Sequence, residues 1–490
     1  MVLKRGTMTH FSIASLVMMM VLSGCFYSRT YLENNLDNSV CLEVSEEEAL
    51  NSPYFTKSSW VDKAWWNMFD DLQLEKLILI GLANSPTIQK ATAVITKAKE
   101  QAYIERSALM PQFSGEAETN WQYLSPTGFF RSFAVTLPPV VNVIDLQINF
   151  SWELDFFGKN RKKFEAALGL MRAEEAEKAL TELMLAVSIA QAYFELQQAF
   201  SEQAVLQNLA NERTLYLKLT KQRRSHGLDN DIELFTAEKN LAEVERRLKS
   251  IENSIQLGTH LIKRLIGEGP NSCTRITPSQ TLFSRAFPLP ENLTVNLVTR
   301  RPDLMAQIWR VEAAAKQIGV AKAEFFPSLN LQGFGGLESI SFPNFLNLTN
   351  KNASLNPIIN IPIFTGGRLT ANLEEKKAEF ESAMYAYNEQ LLIAGQEVAD
   401  QISSFSIIQE QIQFEDALVL ALKKRTAVAE NRYKQGLAGS LPLISEKELL
   451  LEEELIQIDL SYRKNIAALK LIKALGGGYD GEYDRQNLRP

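Results

Sequence analysis

Three histidines and three cysteines in 490 residues leave little material for metal or nucleophilic chemistry. His10 lies in an apolar leader, and His226 and His260 fall in one long helical stretch, away from any Cys/His cluster. There is no Gly-rich phosphate loop and no nucleophile elbow, so neither an enzyme nor a bound cofactor or metal is expected. The cysteine with a chemical context is Cys25. Lys4 and Arg5 precede an apolar run from Phe11 to Leu22, the pattern of a secretory leader. That run is shorter than the ~20 residues a spanning helix needs. It ends in Leu22-Ser23-Gly24-Cys25, which reads as a lipobox with Cys25 as the lipid-bearing first residue of the mature chain. The bland alternative is a plain leader with a chance cysteine. Phe26 and Tyr27 follow, and the absence of Asp at the second mature position matches an outer-membrane destination for such lipoproteins. Cys41 and Cys273 could pair in an oxidising periplasm, but their spacing says little about it.

A second group of charged residues surrounds two glycines. Asp229, Asp231 and Glu233 stand just beyond Gly227, and Arg223 stands four residues before it, as Arg432 stands four before Gly436. Asn230 with Glu233 resembles a capping box, so these acids read first as a solvated helix start. Net charge is −7 with 22% charged residues, which excludes a nucleic-acid partner that would need a basic face.

An internal repeat places these groups. Asn84-Ser85-Pro86, an Ala-rich run and Leu109-Met110-Pro111 are echoed by Arg301-Pro302-Asp303, a second Ala-rich run and Phe325-Phe326-Pro327. Pro86 and Pro111 are 25 residues apart, as are Pro302 and Pro327. Each copy reads helix, strand, strand, helix. Strands are expected at about 113–123, 143–155, 329–338 and 354–363, although Phe334 and Ile358 spoil the alternation of the second pair. Each run is ~10 residues long, as a tilted transmembrane strand requires, and one face could meet lipid. The same alternation also suits a half-exposed strand of a soluble sheet.

Helical hairpins are expected at about 159–267, proline-free through Gly269, and 368–475, turning near Gly227 and Gly436. Arg368 follows Pro362-Ile363-Phe364-Thr365-Gly366-Gly367, and Pro442 fits a first helical turn. The first arm would be ~100 Å long at 1.5 Å per residue, and its narrow apolar seam needs helix neighbours throughout. No later apolar run is expected to cross a membrane as a helix. The chain therefore divides into a signal peptide (1–24), a polar, irregular lipidated linker (25–64), a first repeat (65–269), a connection (270–298), a second repeat (299–475) and a tail (476–490).

These residues resemble the bacterial outer-membrane factor family, the TolC-like efflux tunnels, and in particular its lipoprotein branch. The matching pieces are the lipobox, Trp65-Trp66 with Phe69-Asp70, Arg301-Pro302-Asp303, Phe326-Pro327 and Pro362 to Arg368. The resemblance implies an α+β membrane protein built from a duplicated helix-strand-strand-helix unit. It implies a homotrimer whose chains give four strands each to one twelve-stranded barrel, continued by a long helical periplasmic barrel with a small equatorial domain. It also implies outer-membrane lipid around the barrel, a periplasmic adaptor and an inner-membrane efflux pump as partners, and passive export of small toxic molecules. Gly227 and Leu228, with Gly436, Leu437 and Ala438, match the adaptor-docking tips, although the Val position of the family's Val-Gly-Leu departs. Pro442 and Ser445 stand where the family's gate acids are expected, so Asp229, Asp231, Glu233 and Arg432 are the gate candidates. In a trimer the three acids of each chain would gather around the periplasmic mouth. Rival readings are the outer duct of a type I protein secretion system and a periplasmic coiled-coil scaffold.

Overall fold

Proline and glycine set the element boundaries. The structure is a computed structural model, described here for residues 51–129, 138–279, 286–290 and 293–481. The leader, Cys25 and Cys41 lie outside the described residues.

A short strand β1 (Phe55–Ser58) and a 3-10 turn (Trp65–Phe69) precede helix α1 (Leu72–Asn84). The Asp71 carboxylate caps α1 by accepting from the backbone N–H groups of Gln73 (2.8 Å) and Leu74 (3.1 Å). Pro86 opens α2 (Pro86–Ser107), where its missing N–H costs nothing. Strands β2 (Gln112–Tyr123) and β3 (Val140–Leu154) lead to α3 (Lys159–Ser225) and α4 (Asp231–Leu265). After β4 (Phe287–Pro290) and α5 (Leu293–Arg300) the order repeats as α6 (Pro302–Ala323), β5 (Ser328–Ser339), β6 (Lys351–Asn360), α7 (Arg368–Lys434) and α8 (Ser440–Ala474).

The duplication is visible in the lengths. Helices α2 and α6 have 22 residues each, α3 and α7 have 67, and α4 and α8 have 35. Strands β2, β3, β5 and β6 form one antiparallel sheet in that order, so the two copies meet through β3 and β5. Helix α3 is the spine of the rest and packs against α1, α2, α4, α6 and α8.

Three features go beyond the sequence expectation. Strand β6 starts at Lys351 and stops at Asn360, so Ile361 to Ile363 leave the sheet, where Pro362 has no N–H to give a ladder. The linker is not wholly irregular: Phe55–Ser58 pairs in parallel with Phe287–Pro290, inside the expected 270–298 connection. The driving force is a buried aromatic triad of Phe55, Phe287 and Phe405, with ring centroids 5.5 to 6.5 Å apart. Thirdly, α3 does contain a stretch apolar enough to cross a membrane by composition, but 56% of it is buried. Ile189, Ala190, Tyr193, Phe194 and Leu196 of α3 pack with Trp65 and Phe69 in the main core. It is a core helix.

The end of α8 is fastened by backbone geometry. Gly476 has φ 86°, and a Cβ there would collide with the carbonyl oxygen of Arg300. Gly476→Ala should cost about 1–3 kcal/mol from strain alone, read as a lower melting temperature of the purified protein. An unchanged melt would show that the segment yields freely.

Candidate functional site: a two-faced sheet, a helical wall and two hairpin tips

The sheet separates its side chains by chemistry. Register puts Phe113 opposite Phe150, Ala117 opposite Leu146 and Leu146 opposite Leu337 on one face. The other face carries Gln112, Ser114, Glu116, Glu118, Asn120 and Gln122 of β2, joined across the ladder by Asp145, Gln147 and Asn149. Phe334 and Ile358 sit on this polar face, opposite Ser354 and Asn330, which explains why they broke the sequence pattern. On the apolar face Phe113, Trp121 and Tyr123 are each about two-thirds exposed and mark the two ends of β2. Phe113 and Trp121 are roughly 26 Å apart along the strand at ~3.3 Å per residue, close to the height of a lipid-facing band with aromatic girdles.

The polar face holds a feature that the sequence alone did not bring together. Glu118 is directly opposite Asp145, and Asp145 is directly opposite Glu338, so three carboxylates form a row across three strands. Like charges opposed in a sheet oppose pairing, so such a row persists only on a solvated face. Alternation gave each strand's face, but only the register could align the row.

At the sheet's lower rim both copies turn sharply into their long helices, and Phe157 stacks on Phe326 at 4.7 Å, one ring from each repeat. The Asp155 carboxylate accepts from the backbone N–H of Asn160 (3.1 Å) and Arg161 (2.8 Å), capping α3. Below it the helical wall is laced by ion pairs. Arg213 of α3 and Arg247 of α4 both reach Glu452 of α8 at 3.0 Å, and Arg310 of α6 reaches Glu177 of α3 at 2.9 Å. Apart from the Arg213 side chain, which is 12% exposed, these groups are about a third exposed, and such pairs contribute little singly and mainly fix helix register.

The Arg301-Pro302-Asp303 motif is a buried clamp. Arg301 is only 5% exposed. Its guanidinium donates to both Asp303 oxygens (2.7 and 3.1 Å), to Glu397 of α7 (2.8 Å) and to the Ala474 carbonyl at the end of α8 (3.1 Å). The Gln390 amide donates to Asp303 at 2.8 Å. Burial alone would raise the Asp303 pKa, but Arg301, the Leu304 N–H and Gln390 together hold it below the usual value. The motif therefore ties α6, α7 and α8 together where the helices meet the equatorial core. A second buried network lies nearby. Tyr193 donates to Asp71 at 2.7 Å, Ser279 donates to Asp71 at 3.0 Å, and burial pushes the Tyr193 hydroxyl up to about 12. Nothing in the sequence around Tyr193 signals this contact, because its partners lie more than 80 residues away on either side.

Both hairpin tips end their long helices the same way. Gly227 and Gly436 have φ 71° and 72°, and the N–H groups of Leu228 and Leu437 return to the carbonyls of Arg223 and Arg432, each at 2.9 Å. Leu228 and Leu437 are 65% and 67% exposed, and Ala438 is half-buried. The acids of the first tip have partners close by. Asp229 is held by both Nε and Nη2 of Arg223 at 2.9 Å, and Asp231 pairs with Arg224. The Asn230 side chain caps Glu233 N–H at 3.0 Å. Two of the three carboxylates are thus neutralised within their own tip. Of the four gate candidates, Asp229, Asp231 and Glu233 share the first tip, and Arg432 belongs to the second.

A two-faced antiparallel sheet set on long helical hairpins defines an outer-membrane channel fold. Its solved counterparts include VceC of Vibrio cholerae, 31% identical with a TM-score of 0.75, covering 86% of this chain and 100% of that one. The CmeC channel of Campylobacter jejuni shares the fold at 21% identity, with a TM-score of 0.82 over 94% and 97% of the two chains. The multidrug resistance outer membrane protein MdtP of Escherichia coli K12 is 28% identical over 432 residues, 87% of this chain and 88% of that protein. Residues 77–268 and 293–477 match the sequence profile of the outer membrane efflux protein family. The chain belongs to that family, and its place is the outer membrane.

The clamp gives a pH-dependent prediction. Asp303 has a depressed folded pKa, so its contribution is full above the unfolded value near 4 and is lost as pH falls through the lower folded value. Arg301→Met should destabilise the protein by about 3–5 kcal/mol at pH 7, and the gap to wild type should close below about pH 4. Melts followed by circular dichroism across pH check this.

Proposed function

We propose that the chain is one subunit of a trimeric passive duct that exports small toxic molecules, supplied by an inner-membrane pump through a periplasmic adaptor. One observation carries it. Among the described residues the four-stranded sheet has two unpaired edges, β2 and β6, and β2 is exposed along its whole length. Unpaired backbone groups are not tolerated in lipid, and four strands are too few to close on themselves. Three copies joining β2 of one to β6 of the next would supply twelve strands and remove every edge. The polar face would then line a water-filled lumen, which needs no catalytic group to pass its cargo.

The covalent lipid on Cys25 would anchor the mature N-terminus beside the barrel. The exposed Leu228 and Leu437, with Gly227, Gly436 and Ala438, are the surfaces offered to the adaptor. Asp229 and Asp231 act in this reading as stiffeners of the first tip, where acids also favour the α4 dipole. A duct for secreted proteins would share this geometry, but the multidrug resistance names of MdtP and of MdtQ, 28% identical in Escherichia coli O157:H7, favour small molecules. A coiled-coil scaffold gives no reason for a two-faced sheet.

Detergent-extracted protein should give three copies per particle by native mass spectrometry, and a deletion strain should become more susceptible to drugs, dyes or detergents. A stable monomer with full strand content would end the barrel reading. Cys25→Ser should abolish fatty-acid labelling, and persistent labelling would move the anchor elsewhere. Replacing Glu118, Asp145 and Glu338 together by their amides should lower cation preference in planar bilayers, since carboxylates lining a lumen favour cations. Unchanged selectivity in an assembled trimer would take the row out of the conduction path.

A further inference from the structure

One contact at the rim between sheet and helices is laid out twice in the chain but completed only once. In the first repeat, Asp155-Phe156-Phe157-Gly158 links β3 to α3, with Gly158 at φ 74°. Phe157 stacks on Phe326, the residue before Pro327 at the entry to β5, with ring centroids 4.7 Å apart and planes 15° apart. Leu154 is paired with Leu329, and each ring lies three residues beyond its own member of that pair. The two rings therefore stand opposite each other where the β3–β5 ladder would continue. The first repeat supplies the exit ring, and the second supplies the entry ring.

The second repeat has an exit ring without a mate. Phe364 follows Ile361-Pro362-Ile363 out of β6 and precedes Thr365-Gly366-Gly367, with Gly367 at φ 84° capping α7. Phe364 is 90% exposed, against 44% for Phe157. Duplication names the residue that should cover it. Met110 stands one before Pro111, as Phe326 stands one before Pro327, and it is 53% exposed at the entry to β2. Phe364 and Met110 cannot meet across the sheet of one subunit, because β6 and β2 are its opposite edges with β3 and β5 between them.

We propose that Phe364 seats against Met110 of the partner subunit and so selects the register in which β6 joins the next chain's β2. This inference rests on the reading that copies of the chain close the barrel through these edges, and it names the contact and the pairing by which they do so. Strands β2 and β6 run in opposite directions, so their junction is antiparallel, as β3–β5 is. With Phe364 opposite the partner's Met110, the apolar face sets Ile361 against the partner's Phe113, Ile359 against the partner's Gly115 and Leu355 against the partner's Thr119. The polar face sets Asn360 against the partner's Ser114 and Ser354 against the partner's Asn120. Lys351, the first residue of β6, then meets the partner's Tyr123, the last of β2, so the two strands end together. Every residue keeps its face. Alternation alone leaves slips of two residues open, because only odd slips exchange the faces. The rim contact chooses among them, and a thioether against an aromatic ring is a favourable pair.

Disulfide cross-linking tests the contact and the register separately. The background is the full-length protein with Cys41→Ser and Cys273→Ser, extracted in detergent, with Cys25 left for its lipid. Native mass spectrometry of each reduced variant first counts the subunits. After mild oxidation, Phe364→Cys with Met110→Cys should give covalent dimers and trimers on a non-reducing denaturing gel. Ser354→Cys with Asn120→Cys should oxidise at least tenfold faster than Ser354→Cys with Glu118→Cys or with Gln122→Cys. Opposed Cβ atoms lie about 4.5–5.5 Å apart and diagonal neighbours about 7–8 Å, whereas a disulfide needs about 3.8 Å. An assembled trimer in which the Phe364–Met110 cysteine pair stays unlinked, as it would if Phe364 faced lipid, overturns the contact while the barrel reading stands. Faster oxidation of either slipped pair overturns the register. A monomer by native mass spectrometry removes the barrel reading and this proposal together.

Discussion

Everything in this molecule depends on where the backbone of β2 and β6 finds its partners. Water satisfies an open sheet edge in a soluble protein, but a bilayer offers nothing in exchange, and each orphaned N–H or C=O there costs several kcal/mol. The apolar face of the sheet, with Phe113, Trp121 and Tyr123 exposed, commits it to lipid. In the proposed trimer the two edges would pair with other copies of the chain, and the long helices would inherit that symmetry. Strands β3 and β5 pair the two repeats inside one chain, so each subunit brings two equal-length hairpins to the wall below.

Polar chemistry inside the subunit serves mainly to hold these hairpins in register. The Arg301 clamp is the tightest case, because the N–H groups of a residue 5% exposed must find acceptors in place of the water they lose. It uses Asp303, Glu397 and the Ala474 carbonyl, and so couples the start of α6 to the middle of α7 and the end of α8. Nearer the tips the pairs are exposed and individually weak.

Much of this was legible in the sequence. Pro86 and Pro302, Pro111 and Pro327, and Gly227 and Gly436 are residues whose backbone demands leave few alternatives, and each marks an observed boundary. Strict alternation in Phe113–Tyr123 separated the two faces of β2 before any register was known. What stayed hidden depends on long-range register or on partners far along the chain. The Glu118–Asp145–Glu338 row exists only once three strands are aligned, and Tyr193 meets Asp71 across 122 positions. Strand β1 was missed because four residues carry no periodicity, and Phe55 is recognisable only beside Phe287 and Phe405. The pairing of the first-tip acids stayed hidden for a related reason. Their spacing was visible, but the turn that folds Arg223 and Arg224 back onto them was not.

Amide hydrogen exchange across Gln112–Tyr123 in the detergent-extracted, full-length protein tests the edge closure most directly. In an antiparallel edge strand, alternate amides point away from the neighbouring strand, and in β2 these face away from β3. Edge closure between subunits predicts that these outward amides are protected as strongly as those of β3, which is paired on both sides. Outward amides of β2 exchanging at unprotected rates, while the β3 amides stay protected, would contradict it.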